Sequence, residues 1–152
     1  MIYFIWKCKD CNNEFKEPKV DDFIYGQFVL YSATTKSKRY FDNSNVSVFE
    51  EVDMIIENNH RYKHVKERKK ETVICQNVFS IACDKDEEGN EFFIGSPVCP
   101  ECKSRNTQIV GPTDSPEKYE GEIPPVTHDY WNSLNQEEKE MLVDKKLHEL
   151  GY

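Results

Sequence analysis

The chain has 152 residues, 38% of them apolar and 12% aromatic, which is enough for one hydrophobic core and too apolar for a disordered polymer. Its net charge of -8 excludes a broadly basic, phosphate-tracking surface, leaves a local basic patch open, and suits a basic protein partner. No apolar run reaches membrane-spanning length and no export signal opens the chain, so a cytoplasmic protein with no membrane contact and reduced cysteines is expected.

Residues 1–7, MIYFIWK, are aromatic and β-branched and predict a strand running straight into Cys8. FIYGQFVLYS (23–32) predicts a second strand, with Gly26 marking a bulge or a close backbone approach. ATTKSK then reads as a turn and RYFD as the return strand of a hairpin. Residues 47–58, SVFEEVDMIIEN, carry the clearest helical signal. Val48, Phe49, Val52, Ile55 and Ile56 line one face, and Ser47 and Glu50 have capping-box spacing. Residues 60–70, HRYKHVKERKK, form a basic run. The apolar positions of ETVICQNVFSIAC (71–83) fit a helix and also one face of a strand; its length favours the helix.

An acidic turn, DKDEEGNE, precedes FFIGSPV, the strand expected to enter Cys99, and NTQIVGP is the strand expected to leave the second cysteine pair. Residues 112–126 hold four of the seven prolines and predict an extended tether over the surface. The last helix starts at Asn135, with Glu138 in the reciprocal capping position. Glu137, Glu138 and Glu140 lie early in it and Lys145, Lys146 and His148 late, both of which suit the helix dipole, and Gly151 stops it. Val143, Leu147 and Leu150 share a face, and Trp131 and Leu134 dock its approach.

The chemistry sits in two Cys-x-x-Cys pairs, Cys8 with Cys11 and Cys99 with Cys102. Such a loop points two sulfurs at one centre, and two loops complete a tetrahedral four-cysteine site. Thiolates in this geometry select zinc, with iron as second choice. Residues 12–98, 87 in all, separate the pairs. Closing a loop that long costs about 4 kcal/mol, whereas a structural zinc contributes roughly 10–16 kcal/mol. Metal binding can therefore hold the loop closed.

MIYFIWKCKDCNNEF resembles the start of the FmdB-like regulatory zinc ribbons, and CPECKS resembles their second knuckle; rubredoxins share the plan. The likeness covers about 25 of the 152 residues and implies a zinc ribbon or rubredoxin-like module. Glycine commonly follows the second cysteine of each knuckle in that pattern. Asn12 and Lys103 hold those places here, and Lys103 suits the left-handed backbone less well, so a strained or differently shaped second knuckle is expected.

Other polar features compete for a role. Cys75 and Cys83 lie too far apart within one element to share a metal and are expected as core thiols. His60 and His64 have i, i+4 spacing but no HExxH glutamate, which favours a solvated face. His128, beside Asp129, could act as a general base, or sit structurally at a helix start capped by Thr127. Lys36, Lys38 and Arg39, with Arg61, Lys63, Lys66, Arg68, Lys69 and Lys70, could track phosphates if the two clusters met.

The expectation is a single α+β domain over 1–152. A split zinc ribbon (1–16 and 92–111) clamps an inserted hairpin and helices (17–91), and a proline-rich tether leads to a C-terminal helix (112–152). Cysteine fills all four metal positions, so the zinc is structural and the protein is a non-enzymatic adaptor or regulator that binds another protein. The alternatives are a nucleic-acid-binding regulator using residues 36–39 and 61–70, and an enzyme with His128 in a cleft.

Overall fold

The computed structural model of the chain describes residues 1–20, 26–34, 37–42, 47–65 (at 64 the backbone only) and 74–152. Among these residues the fold is α+β, with two three-stranded antiparallel sheets and four helices.

The first sheet joins the N-terminal strands to the strand that follows the second cysteine pair. β1 (Ile2–Cys8) lies between β2 (Glu14–Lys19) and β6 (Thr107–Pro112). Period-two alternation along β1 turns Phe4, Trp6 and Cys8 inward. Its register sets Cys8 opposite Thr107 and Lys7 opposite Glu14, with a bulge against β6 between Ile5 and Trp6. Both cysteine pairs thereby emerge at one end of this sheet.

The second sheet places β3 (Gln27–Ser32) between β4 (Lys38–Asp42) and β5 (Phe92–Ile94). The hairpin read from the sequence is β3–β4. β3 is buried on both faces, which its unbroken run FVLYS permits. Leu30 faces the helices, while Val29 and Tyr31 join Val20 in a smaller cluster toward the first sheet. There the Tyr31 hydroxyl donates to the Pro18 carbonyl at 2.6 Å, Tyr31 meets the Trp6 ring edge-on, and Lys38 pairs with Glu17 at 2.9 Å.

FFIGSPV departs from expectation. It forms only three strand residues, and they pair with β3 rather than with the cysteine-bearing sheet. Gly95 (φ 118°) turns the chain, and Pro97 has no N–H to donate, so residues 95–98 enter Cys99 without ladder bonds. Thr107 compensates by donating its hydroxyl to the Pro97 carbonyl at 2.8 Å.

The helices cover the other face of the second sheet. α1 (Ser47–Asn58) begins with Ser47 already helical and buries Val48, Val52, Ile55 and Ile56. Of the segment 71–83, residues 71–73 lie outside the described residues and the rest is helical: α2 occupies 74–78 and a 3-10 turn runs Phe79–Ala82. α3 (Asp129–Ser133) and α4 (Gln136–Glu149) complete the layer. Leu30, Phe41, Val52, Ile56, Val78, Phe79, Phe92, Trp131, Val143 and Leu147 form its core. Each large side chain buried there stabilises the fold by roughly 1.5–3 kcal/mol.

α4 starts with the full Asn135–Glu138 capping box. It ends in a Schellman turn, with the Tyr152 N–H on the Leu147 carbonyl and the Gly151 N–H on the His148 carbonyl. Val143 and Leu147 are buried, whereas Leu150, at the cap, is 40% exposed. The Trp131 indole and the Lys139 ammonium both donate to Glu51, tying α3 and α4 to α1.

Residues 113–126 form the expected extended tether, strapped to both sheets. Tyr3 donates its N–H to the Glu117 carbonyl and Tyr119 to that of Met1; Tyr40 donates to Pro124, and Val126 donates back to Tyr40.

Candidate metal centre

β1 delivers Cys8 at its last residue, and a tight turn brings Cys11 back toward β2. The Cys8 N–H donates to the Asn13 carbonyl at 2.9 Å, and the Asn12 N–H to the Cys8 carbonyl at 3.0 Å. The second pair repeats this pattern: Cys99 N–H to the Ser104 carbonyl at 2.9 Å, Lys103 N–H to the Cys99 carbonyl at 3.0 Å. Asn12 (φ 62°) and Lys103 (φ 61°) both take the left-handed backbone. The second knuckle therefore has the shape of the first, and the strain expected at Lys103 is local to one residue. Its ammonium donates to the Pro100 carbonyl at 2.7 Å, across its own turn.

The two knuckles face each other. The sulfurs of Cys8, Cys11, Cys99 and Cys102 all lie within 4.8 Å of one another. Across the knuckles, Cys8 Sγ is 3.5 Å from Cys102 Sγ, and Cys11 Sγ is 3.6 Å from Cys99 Sγ. All four thiols are free. A tetrahedral ion with metal–sulfur bonds of about 2.3 Å sets its sulfurs about 3.8 Å apart. The tetrad could therefore hold one metal ion with little adjustment. Cys8 and Cys99 are buried, while Cys11 and Cys102 are exposed.

Local electrostatics suit a cation. Burial would raise the Cys99 thiol, but the N–H groups of Cys102 and Glu101 and the Cys11 and Cys102 thiols lower it to about 7. At Cys11 the Asn13 N–H favours the thiolate, yet burial and the neighbouring sulfurs of Cys102, Cys99 and Cys8 push it up to about 12. Four sulfurs this close repel one another when ionised, and a bound cation lets all of them ionise together.

A polar shell that sequence reasoning missed surrounds the tetrad. Asp10 accepts from the Ser104 hydroxyl and, at 2.8 Å, from the Asn106 side-chain amide. The Asn106 carbonyl takes the Lys9 N–H at 2.8 Å, and the Asn13 amide lies 3.9 Å from Cys99 Sγ. Both bonds to Asp10 hold its carboxyl below the usual range. Short polar residues beside each cysteine pair were the available signal, but spacing says nothing about which side chains meet across the knuckles.

The other candidates lie elsewhere. Cys75 and Cys83 are buried in the helical core, where burial pushes both thiols up. His60 is exposed, 3.7 Å from Asp144; the side chain of His64 lies outside the described residues. His128 is buried against the edges of Phe79 and Phe41, its Nδ1 2.5 Å from the Ala82 carbonyl, while Asp129 is exposed. Thr127 does not cap α3. Asp84 does so from across the chain, accepting the N–H groups of Asp129 and Tyr130.

Of the basic clusters, Lys36, Lys66, Arg68, Lys69 and Lys70 lie outside the described residues. Lys38 is paired with Glu17, Arg39 lies over the Phe92 ring, and Arg61 bonds Asp144 and the Tyr152 carbonyl; Lys63 is exposed. Three of the four described cations are thus engaged within the chain.

No helix among the described residues is long and apolar enough to cross a membrane. No protein-family model, no curated protein and no solved structure matches the chain.

Proposed function

We propose that this is a non-enzymatic zinc protein whose Cys8, Cys11, Cys99 and Cys102 hold one structural ion in a split zinc ribbon, and that it acts in the cytoplasm as an adaptor or regulator of another protein. The observation that carries the reading is the sulfur tetrad, with cross-knuckle contacts of 3.5 and 3.6 Å. Zinc is preferred to iron because divalent zinc binds such donor sets more tightly than ferrous iron. A centre closed by four thiolates has no position for water or substrate and supplies shape rather than chemistry. Function then falls to the surface the metal holds in place. A net charge of -8 suits a basic protein partner, and the six unpaired cysteines suit a reducing compartment.

The test is metal analysis of protein purified without added metal. One zinc per chain, reduced to none in Cys8→Ser, is expected. A red protein carrying iron overturns the choice of zinc, and a reduced protein that takes up neither metal overturns the centre itself. The binding role is tested by comparing partners retained by wild type and by Cys8→Ser; a partner set that ignores the substitution argues against a metal-shaped surface.

A further inference from the structure

The two halves of the tetrad come from opposite ends of an 87-residue interruption, residues 12–98. The ion alone need not bring them together. Asp10 lies between Cys8 and Cys11, and both of its carboxylate oxygens are engaged by residues that follow Cys102. Ser104 donates its hydroxyl to one oxygen, and Asn106 donates its amide to the other at 2.8 Å. The Asn106 N–H in turn donates to the Ser104 hydroxyl at 2.9 Å, so the three side chains form one connected set. The Lys9 N–H on the Asn106 carbonyl, at 2.8 Å, fixes the same two segments at the backbone. None of these bonds involves a sulfur.

We propose that Asp10, through Ser104 and Asn106, is a positioning residue that clasps the second knuckle to the first, so that the four sulfurs converge before an ion binds. This rests on the metal reading above. Charge-assisted bonds of this kind are stronger than neutral ones and directional, and an exposed hydrogen bond that does not reach a ligand changes affinity about 3- to 10-fold when removed. A preformed tetrad binds without first ordering a long loop, so the clasp acts on affinity more than on global stability.

The experiment titrates reduced, metal-free protein with cobalt and with zinc in competition with a chromogenic chelator. Wild type, Asp10→Ala, Asp10→Asn, Asn106→Ala and the double variant Asp10→Ala/Asn106→Ala are compared, with Val143→Ala in the helical core as a stability control. Wild type is expected to give the intense sulfur-to-cobalt absorption of a four-thiolate site. Asp10→Ala and Asn106→Ala each bind about 3- to 10-fold more weakly, and the double variant is no worse than either. Asp10→Asn, which keeps an acceptor for Asn106, recovers part of the loss. Val143→Ala lowers the melting temperature and leaves affinity unchanged. If wild type shows the cobalt signature and Asp10→Ala binds equally tightly, the clasp is wrong and the metal centre stands. If wild type binds neither ion, both fall. Should Asp10→Ala fail to fold, Asp10→Asn and Asn106→Ala carry the comparison, and wild-type affinity in both overturns the proposal.

Discussion

Asn12 and Lys103 occupy matching places in the two knuckles and share one backbone conformation, φ 62° and 61°. Only one of them is suited to it. Asparagine visits the left-handed region with local hydrogen bonding, whereas for lysine the Cβ crowds the following carbonyl at roughly 1–2 kcal/mol. The Lys103 bond to the Pro100 carbonyl is exposed and offsets little of that. Lys103→Gly is therefore expected to stabilise the metal-bound protein by about 0.5–1 kcal/mol, seen as a raised thermal midpoint. Asn12→Gly should change it by much less. Equal shifts from both substitutions would contradict this account of the second knuckle.

Removing the metal should separate the two layers of the molecule. Trp6 lies two residues before Cys8 in the first sheet, and Trp131 lies in the helical core with its own large apolar cluster. A structural zinc contributes roughly 10–16 kcal/mol in small domains, more than the loop closure it holds. In a Trp131→Phe background, where Trp6 is the remaining indole, chelated protein at neutral pH is expected to keep its emission in the cold and, on heating, to redden well before the helical circular dichroism is lost. Loss of both signals at one temperature would mean that the layers unfold together.

These two layers were unequally legible in the sequence. Pattern reasoning succeeds where a single element decides the outcome. The α1 face through Val52 and Ile56, the Asn135–Glu138 box and the Gly151 stop are all set within a few residues, and all three occur. The cysteine tetrad was readable because Cys-x-x-Cys spacing states its own geometry. What stayed hidden lies across the chain. Asp10 finds Asn106, Asp84 replaces Thr127 as the α3 cap, and β5 pairs with β3 instead of preceding its knuckle in the first sheet. Each depends on tertiary placement of a polar group or a short strand, for which local propensity carries no information.

Glu51 should make stability depend on acid. Its carboxylate accepts the Lys139 ammonium at 2.6 Å and the Trp131 indole at 2.9 Å. Burial would raise its carboxyl, but the bonds from Lys139 and Trp131 and the Lys139 charge outweigh it and hold the group below the usual range. A folded-state value below the unfolded one means that Glu51 stabilises fully above the unfolded pKa of about 4.3, and that this is lost as pH falls through the lower folded value. Glu51→Gln keeps an acceptor for Trp131 and removes the charge opposite Lys139. It is expected to lose about 1–3 kcal/mol at neutral pH and less in acid. Melting curves recorded from pH 7 to pH 3 should converge for the two proteins; a constant gap would show that Glu51 is not titrating against folding.

Asp84 offers the sharpest check on how the chain between the sheets and α4 is held. It accepts the N–H of Asp129 at 2.8 Å and of Tyr130 at 2.9 Å, and its own N–H donates to the Thr127 carbonyl at 2.9 Å. Two residues earlier, the Ala82 carbonyl meets the buried His128 ring. Residues 82–84 and 127–130 thus form one polar joint that aims Trp131, 1% exposed, into the core. α3 is only five residues long and has no side-chain cap of its own, so its first turn relies on Asp84. Asp84→Ala is expected to destabilise by about 1 kcal/mol, or roughly 2–4 °C for a chain of this size. The change should appear in Trp131 emission, read in a Trp6→Phe background, and Asp84→Asn should lose about half as much. The cobalt spectrum of the metal centre should be untouched by either substitution, because this joint and the tetrad share no bond. If Asp84→Ala alters metal affinity instead, the joint and the knuckles are mechanically coupled and the separation of layers argued above does not hold.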